Sequence, residues 1–109
     1  MISIKINERY LEVLQPTVDL EQLVDQVLEQ YAIETISTKI SQLSSKKKIY
    51  EAQFGHPFQT FASKVSSDVT FVENVEKENP NWESDFIEWE FCIKGITDWK
   101  QKLEHILTI

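Results

Sequence analysis

The side chains that could carry catalysis or bind a metal are few and lie far apart in this sequence. The only cysteine, Cys92, lies between two apolar residues, which is typical of a buried thiol and not of a nucleophile. Neither His56 nor His105 has a cysteine or a second histidine at the spacing of a metal site. Four carboxylates near the C-terminus could serve acid–base chemistry, but on a helix they scatter instead of converging: Glu83, Asp85, Glu88 and Glu90. The sequence therefore predicts a protein that is not an enzyme and that uses no cofactor or metal.

Length, composition and charge narrow the class further. A chain of 109 residues with 41% hydrophobic content can form one domain, or one small core with an appendage. No signal peptide or membrane-spanning run is evident, and a single cysteine suits a reducing compartment, so we expect a cytoplasmic protein without a membrane partner. The net charge is −7, and residues 68–109 carry ten acidic and four basic side chains. Such a surface suits a basic protein better than nucleic acid.

The N-terminal residues alternate between apolar and polar side chains, a period of two that predicts a half-buried strand. One strand needs a partner, and no other segment of the chain alternates comparably. The expected partner is the same strand of a second copy, so that a homodimer forms. The apolar face that would make this dimer contact consists of Ile2, Ile4 and Ile6.

A strand, a short helix at Glu8–Leu14 and a longer amphipathic helix in succession resemble the ribbon-helix-helix fold. In that fold the paired strands enter the major groove of DNA, and their outward polar side chains read the bases. Operator DNA is therefore a further expected partner. The residues that would contact it are Ser3, Lys5 and Asn7 on the strand, with Arg9 beside them.

The stretch Asp19–Phe54 contains no glycine or proline, and its apolar residues recur every three or four positions. This pattern predicts one long helix or two nearly continuous ones, with a hinge near Ser44–Ser45 as one option. The apolar stripe is wider in the first half, so we expect that half to sit in a core. The narrower second half would pack along one seam or extend out of the core.

The C-terminal third has the most regular pattern in the chain. After helix-ending signals at Gly55 and Pro80, a heptad seam begins that predicts a helix packed along one side. The seam consists of Trp82, Phe86, Trp89, Ile93, Ile96, Lys100, Leu103 and Leu107. A second apolar set lies off this seam and adds apolar surface that a chain of this length would struggle to bury: Ile87, Phe91, Trp99 and Ile106.

Two segments resemble a family of small bacterial antitoxins that are encoded beside TumE-type toxins. The first is Tyr50–Gly55 (YEAQFG), followed by Phe58 and Phe61, and the second is Trp82–Glu90 (WESDFIEWE) with its continuation through Trp99. The resemblance implies an antitoxin of a type II module, which binds and neutralises a toxin encoded by the adjacent gene. The expected toxin is RNase-like, and the family further implies repression of the protein's own operon.

The sequence thus predicts a mainly α fold with a short N-terminal strand, one long central helix and a C-terminal helical region. We expect residues 1–45 to form a ribbon-helix-helix-like part for dimerisation and DNA binding, and residues 46–109 to bind the toxin. The tryptophans could instead be ordinary core residues of a helical hairpin, and the whole chain could be a helical adaptor without a nucleic-acid role. The residues predicted to contact the toxin are Trp82, Asp85, Phe86, Ile87, Trp89, Glu90, Phe91, Trp99 and Ile106.

Overall fold

The structure, a computed structural model, describes residues 5–16 and 19–108. Over these ranges the chain forms five helices and no strand: α1 (Glu8–Leu14), α2 (Leu20–Phe54), α3 (Phe58–Ser67), α4 (Val69–Glu78) and α5 (Trp82–Leu107). None of the helices in the described ranges is long and apolar enough to cross a membrane. The mainly α-helical character expected from the sequence is confirmed.

The predicted N-terminal strand is wrong, and the ribbon-helix-helix assignment falls with it. Residues 5–7 have no regular secondary structure, while residues 1–4 lie outside the described part of the chain. Asn7 instead starts α1, because its side-chain oxygen accepts a hydrogen bond from the Arg9 backbone N–H at 3.0 Å. Alternation over seven residues is a short signal, and the local capping preference of asparagine prevails over it.

The residues at its two ends explain where α2 begins and stops. Asp19 precedes α2 and accepts hydrogen bonds from the backbone N–H groups of Glu21 and Gln22. The helix then runs without a break through Ser44–Ser45 and ends at Gly55, whose positive φ of 70° suits a residue without a Cβ. The long helix predicted from the apolar spacing is therefore confirmed, and it is continuous.

The chain divides into two compact units, Met1–Glu34 and Thr35–Ile109, and α2 contributes residues to both. In the first, here called the N-terminal unit, none of the described residues is buried. Val27 and Tyr31 are 57% and 69% exposed, so the prediction that the first half of the long helix sits in a core is wrong. The buried residues all belong to the second, C-terminal unit: Ile36, Tyr50, Phe61, Trp82, Trp89 and Cys92.

The core of the C-terminal unit is a cluster of aromatic rings around the fully buried Trp89. Its indole stacks on Phe54 at a centroid distance of 5.5 Å and meets the edge of Phe58 at 5.2 Å. Phe61, also fully buried, contacts Trp89 at 5.5 Å and Trp82 at 6.2 Å. This cluster ties the end of α2 to α3 and α5, which fixes the position of the predicted binding helix.

Further along α5, a glycine allows a close approach to α2. A Cβ built on Gly95 would lie 2.9 Å from the Cδ1 methyl of Leu43. Mid-helix glycine costs about 1 kcal/mol relative to alanine, so this contact gives a physical reason for its presence.

Candidate protein-binding site

The predicted binding residues of α5 range from buried through half-buried to exposed. Trp82 and Trp89 are 7% and 0% exposed, and both pack in the aromatic core. Phe86 is half-buried and stacks on Phe58 at a centroid distance of 5.3 Å. The two tryptophans therefore have the environment of core residues, as in the alternative interpretation of the sequence.

Ile87 and Phe91 have the opposite environment, being 56% and 70% exposed. They lie four residues apart on α5 and therefore on the same side of the helix. Beside them, the Lys94 ammonium and the Glu90 carboxylate form an ion pair at 2.8 Å. Together these four residues line a shallow depression of about 160 Å³. We call Ile87 and Phe91, with their charged neighbours Glu90 and Lys94, the α5 patch.

The remaining predicted contacts lie elsewhere on the same helix. Trp99 is half-buried, and the Lys102 ammonium lies 4.4 Å from the centroid of its ring, a cation–π contact. Ile106 is half-buried and lines an open groove of about 540 Å³ with Ile36 and Asp98. The predicted set is therefore spread along the helix and does not form one continuous surface.

Polar contacts between α2 and α5 surround the aromatic core. The Lys46 ammonium donates to the Glu88 carboxylate at 2.8 Å, and this pair raises the pKa of Lys46 and lowers that of Glu88. Burial, followed by hydrogen bonding with Glu88, raises the pKa of Tyr50 to about 12. Both partners of the ion pair are exposed, so its contribution to stability is small.

Asp85 has the most extensive polar contacts among the predicted binding residues. Its Oδ2 atom accepts hydrogen bonds from the Gln53 side chain at 2.8 Å and from the Asn79 side chain at 3.0 Å. Sequence reasoning missed Gln53, Asn79 and Lys46 as parts of this surface. Gln53 and Lys46 are 32 and 42 residues away from their partners, and no local pattern signals such a contact.

The described residues do not assemble a recognisable reactive centre. Cys92 is buried, and burial raises the pKa of its thiol, which disfavours the nucleophilic thiolate. No group of three metal-binding side chains comes together within the described ranges. The buried indole N–H of Trp89 has no hydrogen-bond partner among the described residues.

The residues predicted for DNA binding and dimerisation do not form a ribbon in the described part of the chain. Lys5, Asn7 and Arg9 are exposed, and the Asn7 side chain is engaged as the cap of α1. Ile6 is half-buried and belongs to no strand. Ile2, Ser3 and Ile4 lie outside the described residues. Without a strand, these side chains do not form an outward row that could read the major groove of DNA. The structure therefore gives no support to operator binding by a ribbon.

Comparisons with known proteins were made by family model, by sequence and by structure. No family model, no curated protein and no solved structure matched the chain.

Proposed function

We propose that this protein is a non-catalytic protein-binding module whose partner docks on the α5 patch. The observation that carries the proposal is the exposure of Phe91 and Ile87, 70% and 56%, side by side on a helix that is itself fixed by the aromatic core. An apolar centre with a charged rim is the usual composition of a protein–protein contact. Here the rim is provided by the ion pair of Glu90 with Lys94.

The energetics of the patch support an interface. Full burial of a side chain such as Phe or Ile is worth about 1.5–3 kcal/mol relative to leaving it in water. Since α5 is already ordered by its own core, a partner that covers the patch would not have to order this helix. Aromatic anchors that fill a well-packed pocket of the partner often dominate binding free energies, and Phe91 is the aromatic residue of the patch.

The charge distribution defines the chemistry of the partner. Residues 68–109 have a net charge of −6, and they include the whole of α4 and α5. A basic partner would be attracted to this surface, and the attraction would also raise its rate of association. An enzyme that acts on nucleic acid is one such partner, because its own substrate is anionic.

In its specific form, the proposal is that the chain is the antitoxin of a type II module and neutralises the basic, RNase-like toxin encoded by the adjacent gene. The resemblance of YEAQFG and WESDFIEWE to antitoxin sequences supports this form. The acidic surface and the apolar patch are compatible with it.

Co-expression with the product of the adjacent gene tests both the general and the specific form. We expect the two proteins to co-purify and the chain to restore growth that the partner inhibits. The double variant Ile87→Lys/Phe91→Lys should weaken binding on the order of a hundredfold or more, because two apolar anchors become cations facing a basic partner. Ile49→Lys is the matched control, since Ile49 is 63% exposed on α2 and outside the patch.

Each outcome has a defined meaning. Equal loss of binding in the control and the double variant would contradict the α5 patch as the docking surface. A partner that binds through the patch but does not inhibit growth would contradict the antitoxin function and favour a helical adaptor. No association of the two purified proteins would contradict the antitoxin proposal itself.

A further inference from the structure

We propose that a cavity between the end of α2, α4 and the start of α5 binds a guanidinium group, as carried by an arginine side chain of a partner protein. The cavity measures about 810 Å³ and lies wholly within the C-terminal unit, on residues that the α5 patch does not include. Its lining includes Gln53, Phe71, Asn74, Glu78, Asn79 and Asp85. This site goes beyond the proposed function, because it does not require the partner to be a toxin.

Asp85 is held in place before any ligand arrives. The side chains of Gln53 and Asn79 both donate to its Oδ2 atom, at 2.8 Å and 3.0 Å. Asn79 is fixed in turn, since its side-chain oxygen accepts from the Asn81 backbone N–H at 3.1 Å. Amide donors orient a carboxylate without cancelling its charge, so a negative group with a defined orientation faces the cavity.

The carboxylates of the cavity belong to none of the ion pairs among the described residues. The ion pairs of the described residues join Lys46 to Glu88, Lys47 to Glu51 and Lys94 to Glu90, and none includes Asp85 or Glu78. Two unpaired carboxylates at one cavity disfavour an anionic ligand, and they favour a cation.

The aromatic lining offers ring surface to a cation. Phe71 already has one cation near its ring, because the Lys64 ammonium lies 5.4 Å from its centroid. The His56 ring, also at the cavity, meets Phe71 edge-on at 5.7 Å. A guanidinium can stack on such rings while its five N–H donors reach carboxylate and amide oxygens in different directions.

The spacing on α4 places these groups on one side. Phe71, Asn74 and Glu78 are three and four residues apart, so an aromatic ring, an amide and a carboxylate follow one another along the cavity wall. Asp85 on α5 lines the same cavity. A ligand with an apolar stem and a charged, planar end matches this sequence of surfaces, and arginine is the amino acid with that chemistry.

NMR titration of the full chain with N-acetyl-arginine-methylamide tests the site. The side-chain amide signals of Gln53, Asn74 and Asn79 serve as local reporters, and we expect them to shift in a saturable way. N-acetyl-citrulline-methylamide, which has the same length without the charge, should cause no such shift, and the lysine analogue should bind more weakly. N-acetylagmatine, a monocation with the same guanidinium and no backbone methylamide, separates the two sources of the group, since its tighter binding would indicate a free small molecule and overturn the assignment to a polypeptide arginine.

Three charge-neutralising variants test where the guanidinium binds. Asp85→Asn keeps the size of the side chain and an oxygen for its amide donors, and it should weaken binding roughly tenfold, the value of one charge-assisted hydrogen bond. Glu83→Gln changes the same charge on an exposed residue outside the cavity and should leave binding unchanged. Glu78→Gln is a second test at an exposed position of the lining, where the fold is not at risk. Equal weakening by Glu83→Gln and Asp85→Asn, or shifts by citrulline as large as those by arginine, would overturn the proposal.

Discussion

The two units are both helical, yet among the described residues only the C-terminal unit has a core. In the C-terminal unit, aromatic rings from α2, α3 and α5 surround a fully buried tryptophan. In the N-terminal unit, the described apolar side chains remain half-buried or exposed, and the most exposed are Tyr10, Val13, Val27, Leu28 and Tyr31. Short isolated helices are marginal in water, and most helical stability comes from tertiary packing. An apolar stripe on a helix therefore predicts which side can be buried, but not whether the chain itself buries it.

Deleting residues 81–109 and deleting residues 1–34 should have the largest and most unequal effects on the folding of the C-terminal unit. Without residues 81–109 the core loses Trp82 and Trp89, so we expect the remainder of the C-terminal unit to unfold. Without residues 1–34 no described core residue is lost, and the C-terminal unit should stay folded. Circular dichroism and dispersion of NMR signals measure both. A folded 1–80 fragment with native-like dispersion would contradict the division of stability between the units.

Single substitutions in the two units should also have unequal effects on the free energy of unfolding, but smaller ones than the deletions. Trp89→Ala removes a ring that packs on Phe54, Phe58 and Phe61, and it should lower the free energy of unfolding by about 3–5 kcal/mol. Tyr31→Ala, at an exposed position of the same chain, should change it by about 0.5 kcal/mol or less. Urea denaturation measures both values. Equal losses would mean that Tyr31 is covered in solution.

The smallest expected effect is a loss of stability at alkaline pH, caused by ionisation of the Tyr50 hydroxyl. Its pKa is raised to about 12 from the ordinary 10.0, chiefly by burial, so the folded state favours the neutral phenol. The resulting stability is fully present below pH 10 and is lost as the pH rises from 10 towards 12. In Tyr50→Phe this loss should disappear, so its urea midpoint should fall less over that range than that of the unmutated protein. Tyr31→Phe serves as the control, and a parallel fall in all three proteins would refute the assignment to Tyr50.

Local signals in the sequence predicted α1, the long helix α2 and the turn after it. Gly55 acts within a few residues of itself, so its turn preference can be read from the sequence, whereas Asn7 was predicted on a strand and caps α1 instead. The heptad seam from Trp82 likewise predicted α5 and the side of it that packs. The predicted strand failed because its apparent period covered only seven residues.

The candidate site was less predictable, because it depends on contacts distant in sequence. Whether Trp89 or Phe91 is exposed depends on where α2 and α3 lie, although both residues belong to the same apolar helix. The heptad seam separated Trp89 from Phe91, but the prediction of the binding residues still included the buried Trp82 and Trp89. The contacts of Asp85 with Gln53 and of Glu88 with Lys46 have no counterpart in any short motif.

The placement of the tryptophans has a spectroscopic consequence. Trp82, Trp89 and Trp99 all belong to the C-terminal unit, whereas the aromatic side chains described in the N-terminal unit are the tyrosines Tyr10 and Tyr31. Intrinsic tryptophan fluorescence therefore reports on one unit alone. The indole of Trp89 is fully buried without a hydrogen-bond partner, so its emission should be shifted strongly to the blue in the folded protein and to the red on unfolding. The far-ultraviolet helix signal comes from both units, and the fraction of it lost before the emission changes measures how much of the helix is independent of the aromatic core.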